Sequence, residues 1–367
     1  MSKILILGGY GNFGKRISTA LAKAQIAIVI AGREENKAVE LQKKLQEKYP
    51  ATTVEISIFD VKTQLSNKLN EIKPSVVINT VGPFQNSDYS IAKTCIKHSI
   101  DYIDLSDGRD FVGNFTSLDD EAKKAGVALI TGASTVPGLS SAVLEKYKNE
   151  FSQIDSMVFG IAPGQKAERG LATTKAILSY IGKPLKPFNN SNQKRYGWQD
   201  LYCVKYPEVG TRLMANCDIP DLDLLPKHYN LKSIQFSAGM ENPVLHLGIW
   251  ILSWMVRLNL AANLQKHAAL LLKLSHLFDI LGTSDGGMHV FLEGKDHNNK
   301  PKSIKWFIIA KNGDGPQIPT IPTIILAKKL ISKELQKTGA MPCVGMVSLE
   351  EYLAELKDFD VQQSVSC

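Results

Sequence analysis

The sequence predicts an α/β protein, a doubly wound parallel sheet at the N-terminus followed by a second, mixed α/β domain with a helical insertion. Three observations predict it. Short apolar runs alternate with polar helical stretches from residue 3 to about 130, the pattern of a parallel sheet covered by helices. A glycine-rich loop directly follows the first run, and beyond Gly132 the pattern gives way to Pro/Gly-punctuated segments. At 367 residues the chain also exceeds what one hydrophobic core usually organises, so two domains are expected.

In order along the chain, the runs 4–7, 27–31, 53–58, 76–79, 102–104 and 127–130 are compact and apolar, as strands buried on both faces are. Helices fit between them near 12–24, 35–48, 62–70, 87–98 and 116–125, which completes a doubly wound order. A helix near 138–148 then leads to a strand at 157–161 and a loop-rich stretch bearing Pro163, Gly164, Gly170, Gly182, Pro184 and Pro187. Strands are expected at 232–239, 287–293 and 304–310, with two apolar helices, 244–258 and 260–281, between the first two. The tail carries a helix at 322–336, a turn region at 339–345 and a last helix at 348–357. These assignments give a first domain over 1–132 and a second over 133–315, with a helical insertion at 243–281.

The loop reads Gly8-Gly9-Tyr10-Gly11-Asn12-Phe13-Gly14 and satisfies Gly-x-Gly-x-x-Gly at 9, 11 and 14. The first glycine permits the tight turn, the second lets the backbone approach a pyrophosphate, and the third lets the helix pack close to the strand, its N-terminal amides facing the anion. A strand before it and an amphipathic helix after it supply the context of a Rossmann dinucleotide site. At the end of the second strand, where an NAD enzyme carries a carboxylate for the ribose hydroxyls, stands Ala31-Gly32-Arg33. Glycine there with a guanidinium beside it suits a ribose phosphate, so NADP is the expected cofactor, with NAD as the alternative if Arg33 only stacks on adenine. Asp60, after the third strand, is placed to meet the adenine, and Thr80-Val81-Gly82-Pro83, after the fourth, to line the nicotinamide-ribose side.

Composition narrows the class. Hydrophobic residues make up 44% and charged residues 22%, the balance of an ordinary globular protein. The net charge of +7 is spread over lysine-bearing helices such as 41–48 and 328–337, which favours a solvated basic surface over a nucleic-acid site. Cys95, Cys203, Cys217, Cys343 and Cys367 are widely spaced with no Cys-x-x-Cys pair, so neither a disulfide framework nor a zinc site is expected, and a reducing cytoplasm fits. The seven histidines show no metal-like spacing. The opening Met1-Ser-Lys-Ile-Leu-Ile-Leu has too short an apolar run for a signal peptide and reads as a strand. The apolar tract 244–256 is too short for a membrane span. A buried or dimer-forming helix is its plainer reading, and membrane-surface contact through Trp250 and Trp254 its sharper one.

Together the motifs resemble the saccharopine dehydrogenase family, in its reductase-type branch. The carriers are the glycine loop, Ala31-Gly32-Arg33, Val77-Ile78-Asn79-Thr80-Val81-Gly82-Pro83-Phe84, Tyr102-Ile103-Asp104-Leu105-Ser106-Asp107-Gly108-Arg109, and Gly132-Ala133-Ser134-Thr135-Val136-Pro137-Gly138, joined by Tyr196-Gly197-Trp198-Gln199-Asp200 and Gly313-Asp314-Gly315-Pro316. The resemblance covers the whole chain and implies NAD(P)-linked hydride transfer at the carbon–nitrogen bond of a small amino-acid-like substrate. It also implies a C-terminal segment, 316–367, that returns to the Rossmann domain, and a homodimer. One departure stands out: members acting on saccharopine or carboxynorspermidine tend to have Asp-Pro-Gly where this chain has Val136-Pro137-Gly138. An amino-dicarboxylate substrate is therefore left open.

Such chemistry needs a proton donor at nitrogen and cations for carboxylates. Asp107 and Arg109 follow the fifth strand on the cofactor edge, although Asp107 also fits as a turn-capping carboxylate. Arg169 is a candidate carboxylate clamp, or a partner of Glu168. Tyr196 and Trp198 are candidates to close a substrate pocket, or ordinary packing. Against the enzyme stand two other classes: an NADP-binding sensor or structural protein without turnover, and a membrane-peripheral assembly protein using the tryptophan-bearing helix.

Overall fold

The computed structural model describes residues 2–85, 87–187 and 194–366. The chain divides into two compact units, Met1–Ala142 with Gln317–Tyr352 and Val143–Pro316 with Leu353–Cys367.

In the first unit β1 (Lys3–Leu7), β2 (Ala27–Gly32), β3 (Val54–Ile58), β4 (Val76–Asn79), β5 (Asp101–Asp104) and β6 (Ala128–Thr131) run parallel in the order 3-2-1-4-5-6. Gly339–Pro342 adds a seventh parallel strand beside β6, with Gly339 opposite Ala128. The crossovers are α1 (Asn12–Lys23), α2 (Glu35–Lys48), α3 (Val61–Ile72), α4 (Ser90–Lys97), α5 (Arg109–Gly113) and α6 (Asp119–Ala125), and α7 (Ser140–Tyr147) follows β6. Apolar spacing explains them. α1 buries Ile17, Leu21 and Ala22 and α3 buries Leu65, Leu69 and Ile72, each on one face. Burial of such a side chain stabilises by about 1.5–3 kcal/mol, so these stripes fix the helices to the sheet. Asp60 caps α3 by accepting a bond from the Lys62 amide at 2.9 Å, and Gly126 ends α6 at φ +70°.

The second unit holds β7 (Gln153–Ala162), α8 (Leu171–Tyr180), β8 (Tyr202–Tyr206), β9 (Gly210–Asn216), α9 (Asp221–Tyr229), β10 (Ser233–Met240), α10 (Pro243–Arg257), α11 (Ala268–Ser275), β11 (Gly286–Lys295) and β12 (Pro301–Ala310). The chain continues through α12 (Ile321–Ile331), β13 (Gly339–Pro342), α13 (Leu349–Glu355) and β14 (Val361–Ser366). The second sheet has the order β14-β12-β11-β7-β10-β9-β8 and is mixed, since β7 and β10 pair in parallel and the other pairs are antiparallel.

The boundaries differ from those expected. The first division falls inside α7 rather than before it. Residues 353–366 join the second unit because β14 pairs with β12, Phe307 facing Ser364, so the segment 316–367 does not return to the first unit as one piece. The single helix expected at 260–281 is broken: Asn259 and Asn263 take left-handed φ values of 58° and 54°, and short 3-10 turns at Leu264–His267 and His276–Leu281 flank α11. Asparagine tolerates that conformation, which is why the chain breaks there.

Candidate functional site

The glycine loop sits between the end of β1 and the start of α1. Gly8 has φ +74°, and a Cβ there would lie 2.7 Å from Thr80 Oγ1. Thr80, at the end of β4, donates its hydroxyl to the Leu7 and Gly8 carbonyls at 2.8 and 3.1 Å, so the first turn of the loop is locked to the neighbouring strand. A Cβ on Gly14 would lie 2.1 Å from Gly8 O, and one on Gly9 3.0 Å from Ile6 O. The loop is thus a bare-backbone cradle. No acidic side chain enters the first turn of α1 and none caps Gly11, so its amide end is open to an anion. Arg16, one turn on, bonds the Asn12 carbonyl at 2.6 Å and also its amide oxygen, which brings a guanidinium to the same end. These features fit a dinucleotide pyrophosphate.

Tyr10 folds from the loop onto the end of β2. Its hydroxyl accepts the Glu34 amide at 2.7 Å, and a Cβ on Gly32 would collide with its ring at 2.4 Å. The position that an NAD-type carboxylate would occupy is therefore covered by a phenol, with Arg33 exposed beside it. Asn12 and Phe13 open α1 half-buried. Asp60 uses one oxygen to cap α3. Val81, Gly82 and Pro83 are exposed after β4, the Val81 amide bonding Asn79 Oδ1 at 3.0 Å.

The loops after β4 and β5 are tied together. Gln85 Nε2 donates to Asp107 Oδ1 at 3.0 Å, and burial raises the Asp107 carboxyl above the ordinary range despite this bond. Arg109 is buried at the start of α5. Beneath them lies a network that sequence reasoning had not assigned. Asn79 Nδ2 donates to the Tyr102 hydroxyl at 3.1 Å, and Asp104 Oδ1 accepts from Ser106 N, Thr131 Oγ1 and Gly132 N at 2.8–3.0 Å. Burial still pushes Asp104 up to about 6. The available signal was polar residues closing two buried strands. Gln85 left none.

In the second unit Arg169 Nη2 bonds Asp279, and His276 Nδ1 lies 3.0 Å from it, while Nε and Nη1 have no partner. Tyr196 lies under the Arg257 guanidinium, 3.8 Å from ring centre. Trp198 is 2% exposed and its Nε1–H points to the His246 carbonyl at 3.4 Å, the geometry of an interior residue.

Residues 4–130 match the family model of the saccharopine dehydrogenase NADP binding domain. A putative steroid dehydrogenase 3 from Caenorhabditis elegans is 31% identical over 97 residues, which span 24% of this chain and 31% of that protein. Apo histidine-tagged saccharopine dehydrogenase (L-Glu forming) from Saccharomyces cerevisiae aligns over 100% of both chains with a TM-score of 0.67 and 13% identity, so the two share a fold.

Proposed function

We propose that the chain, whose residues 4–130 match the family model of the saccharopine dehydrogenase NADP binding domain, is an NADP-dependent oxidoreductase acting at the carbon–nitrogen bond of a small amino-acid-like substrate. The bound cofactor supplies or accepts the hydride. The chain's own residues do the rest. Gly8, Gly9, Gly11 and Gly14 with the first turn of α1 hold the pyrophosphate, Tyr10 and Arg33 meet the adenosine ribose phosphate, Asp60 the adenine, and Thr80–Pro83 flank the nicotinamide ribose. Asp107 delivers or removes the proton at the substrate nitrogen, with Gln85 orienting it and Arg109 beside it. Arg169, whose Nε and Nη1 have no hydrogen-bond partner, takes a substrate carboxylate, and Tyr196 shapes the substrate side.

The observation that carries this reading is Asp107: a carboxyl at the C-terminal edge of a parallel sheet whose affinity for a proton is raised by burial. The test is NADPH consumption with paired amines and 2-oxo acids. The reading expects turnover in at least one pair and a fall of about 10²–10⁴ in kcat for Asp107→Asn at unchanged NADPH affinity. A second reading, dinucleotide binding without turnover, is favoured by Val136, buried where members acting on saccharopine or carboxynorspermidine tend to carry aspartate. Tight NADPH binding with no turnover across the panel would select it. A cytoplasmic homodimer completes the proposal, the dimer to be tested by light scattering; Cys95, Cys203, Cys217 and Cys343 are all free thiols.

A further inference from the structure

Most of the exposed large apolar side chains among the described residues lie between Val244 and Leu281, on the helical insertion of the second unit. Along α10 and its C-terminal cap the outward positions Val244, Leu247, Ile251, Met255 and Leu258 follow helical spacing and form one apolar stripe. After the short connection at 258–263 a second series follows, Leu270, Leu274, Leu277, Ile280 and Leu281, with Leu277 at 69% and Ile280 at 87% exposure. Polar anchors hold the inner faces. Asn242 Oδ1 caps α10 by accepting from the Val244 and Leu245 amides, Ser253 Oγ accepts from Gln199 Nε2, and Gln265 Nε2 donates to the Lys175 carbonyl of α8. The stripes are therefore the outer faces of fixed helices. Proteins that work free in water rarely leave so many large apolar side chains uncovered.

Charge identifies the occupant. Across α10 and residues 264–281 the one carboxylate is Asp279, which is paired with Arg169, although the whole chain has 36 Asp and Glu, while Arg257, Lys266 and Lys273 are exposed. Trp250 and Trp254 pack edge to face on α10, and the Arg257 guanidinium lies over the Trp254 ring. Apolar side chains edged by cations and tryptophan suit the headgroup zone of a bilayer, where aliphatic groups enter the acyl boundary and cations meet lipid phosphates. A second copy fits less well. A two-fold contact sets the same surface against itself, so that the three cations of one copy would face an apolar and basic surface whose one carboxylate, Asp279, is already paired with Arg169. Among the described residues no helix is long and apolar enough to cross a membrane.

We propose that α10 and residues 264–281 form a docking face that lies on an anionic lipid surface. The full chain is floated with vesicles of phosphatidylcholine plus phosphatidylserine and, in parallel, of phosphatidylcholine alone. Flotation with the mixed vesicles and much less with the neutral ones is expected, together with a blue shift of tryptophan emission. Trp198 and Trp306 are buried, so that shift reports Trp250 and Trp254. The exposed-site variant Ile251→Glu/Leu277→Glu should remain folded and unbound, and Lys266→Ala/Lys273→Ala should bind roughly fivefold more weakly per lysine removed. Wild type that stays off the mixed vesicles, or floats equally with neutral ones, overturns the proposal. So does an Ile251→Glu/Leu277→Glu variant that turns a dimer into a monomer, because the face would then cover a second copy.

Discussion

At the scale of single residues, two contacts carry the cofactor choice and the chemistry. Tyr10 over Gly32 leaves no room for a side chain at the end of β2 unless the phenol moves. Gly32→Asp would displace the ring and set a carboxylate beside Arg33. The expected result is at least a roughly tenfold shift of the NADPH/NADH affinity ratio toward NADH, measured by titrating both, since a like charge opposes a ribose phosphate and a carboxylate suits ribose hydroxyls. The raised Asp107 carboxyl gives a pH dependence of definite sign. As a proton donor it acts below its shifted pKa, so kcat in the reductive direction should fall as pH rises through that value, and Asp107→Asn should flatten the profile. Gly32 and Asp107 were both legible in the sequence as residues of interest. Their partners Tyr10 and Gln85 were not legible as partners, because nothing in a linear pattern sets the ring of residue 10 on residue 32 or the amide of residue 85 on residue 107.

At the scale of elements, legibility followed burial. The strands β1, β2 and β4 of the first sheet are apolar on both faces, with Ile4, Leu5, Ile6, Val76, Val77 and Ile78 fully buried, and so read as continuous runs. The strands that sequence reasoning missed lack that mark. β8 and β9 carry Lys205 and Arg212 among their apolar residues, and β14 reads Val-Gln-Gln-Ser-Val-Ser at the sheet edge. β13, Gly-Ala-Met-Pro, looks like a turn until β6 supplies its hydrogen-bond partners. The glycine loop was legible because steric demand writes itself into residue type. Gly14→Ala should push α1 away from β1, since the new methyl would lie 2.1 Å from Gly8 O, and abolish NADPH binding in a titration while far-ultraviolet dichroism stays native. Asn242→Ala removes the cap of α10 and should lower stability by about 1 kcal/mol in urea unfolding.

At the scale of the whole molecule, the two units should answer acid in opposite directions. In the first unit Asp104 is raised to about 6, and Asp101 and Asp107 are raised too, each by burial. A raised carboxyl contributes stability below its unfolded pKa that is lost as pH rises through the folded value, so acidification from pH 7 to 5 returns about 1 kcal/mol at Asp104. In the second unit burial lowers His246 to about 4 and His289 to about 3, where His289 Nδ1 meets the Tyr206 hydroxyl at 2.7 Å. A depressed histidine contributes stability above its unfolded pKa that is lost on acidification, and over the same interval each loses roughly 2 kcal/mol. Calorimetry at pH 5 should therefore show the second unit melting first, and His289→Gln should restore part of the loss. A single transition that shifts uniformly with pH would count against this assignment.

The glycine cradle and the Tyr10–Arg33 end of β2 should together hold NADP in the first unit. Isothermal titration of NADPH and NADH into the wild-type chain and Arg33→Ala tests it most directly. NADPH should bind more tightly than NADH and lose about 1.5–3 kcal/mol of affinity in the variant, with NADH little changed, as for one charged hydrogen-bonding group. Equal affinities for both dinucleotides, unaltered by Arg33→Ala, or no binding of either, would contradict it.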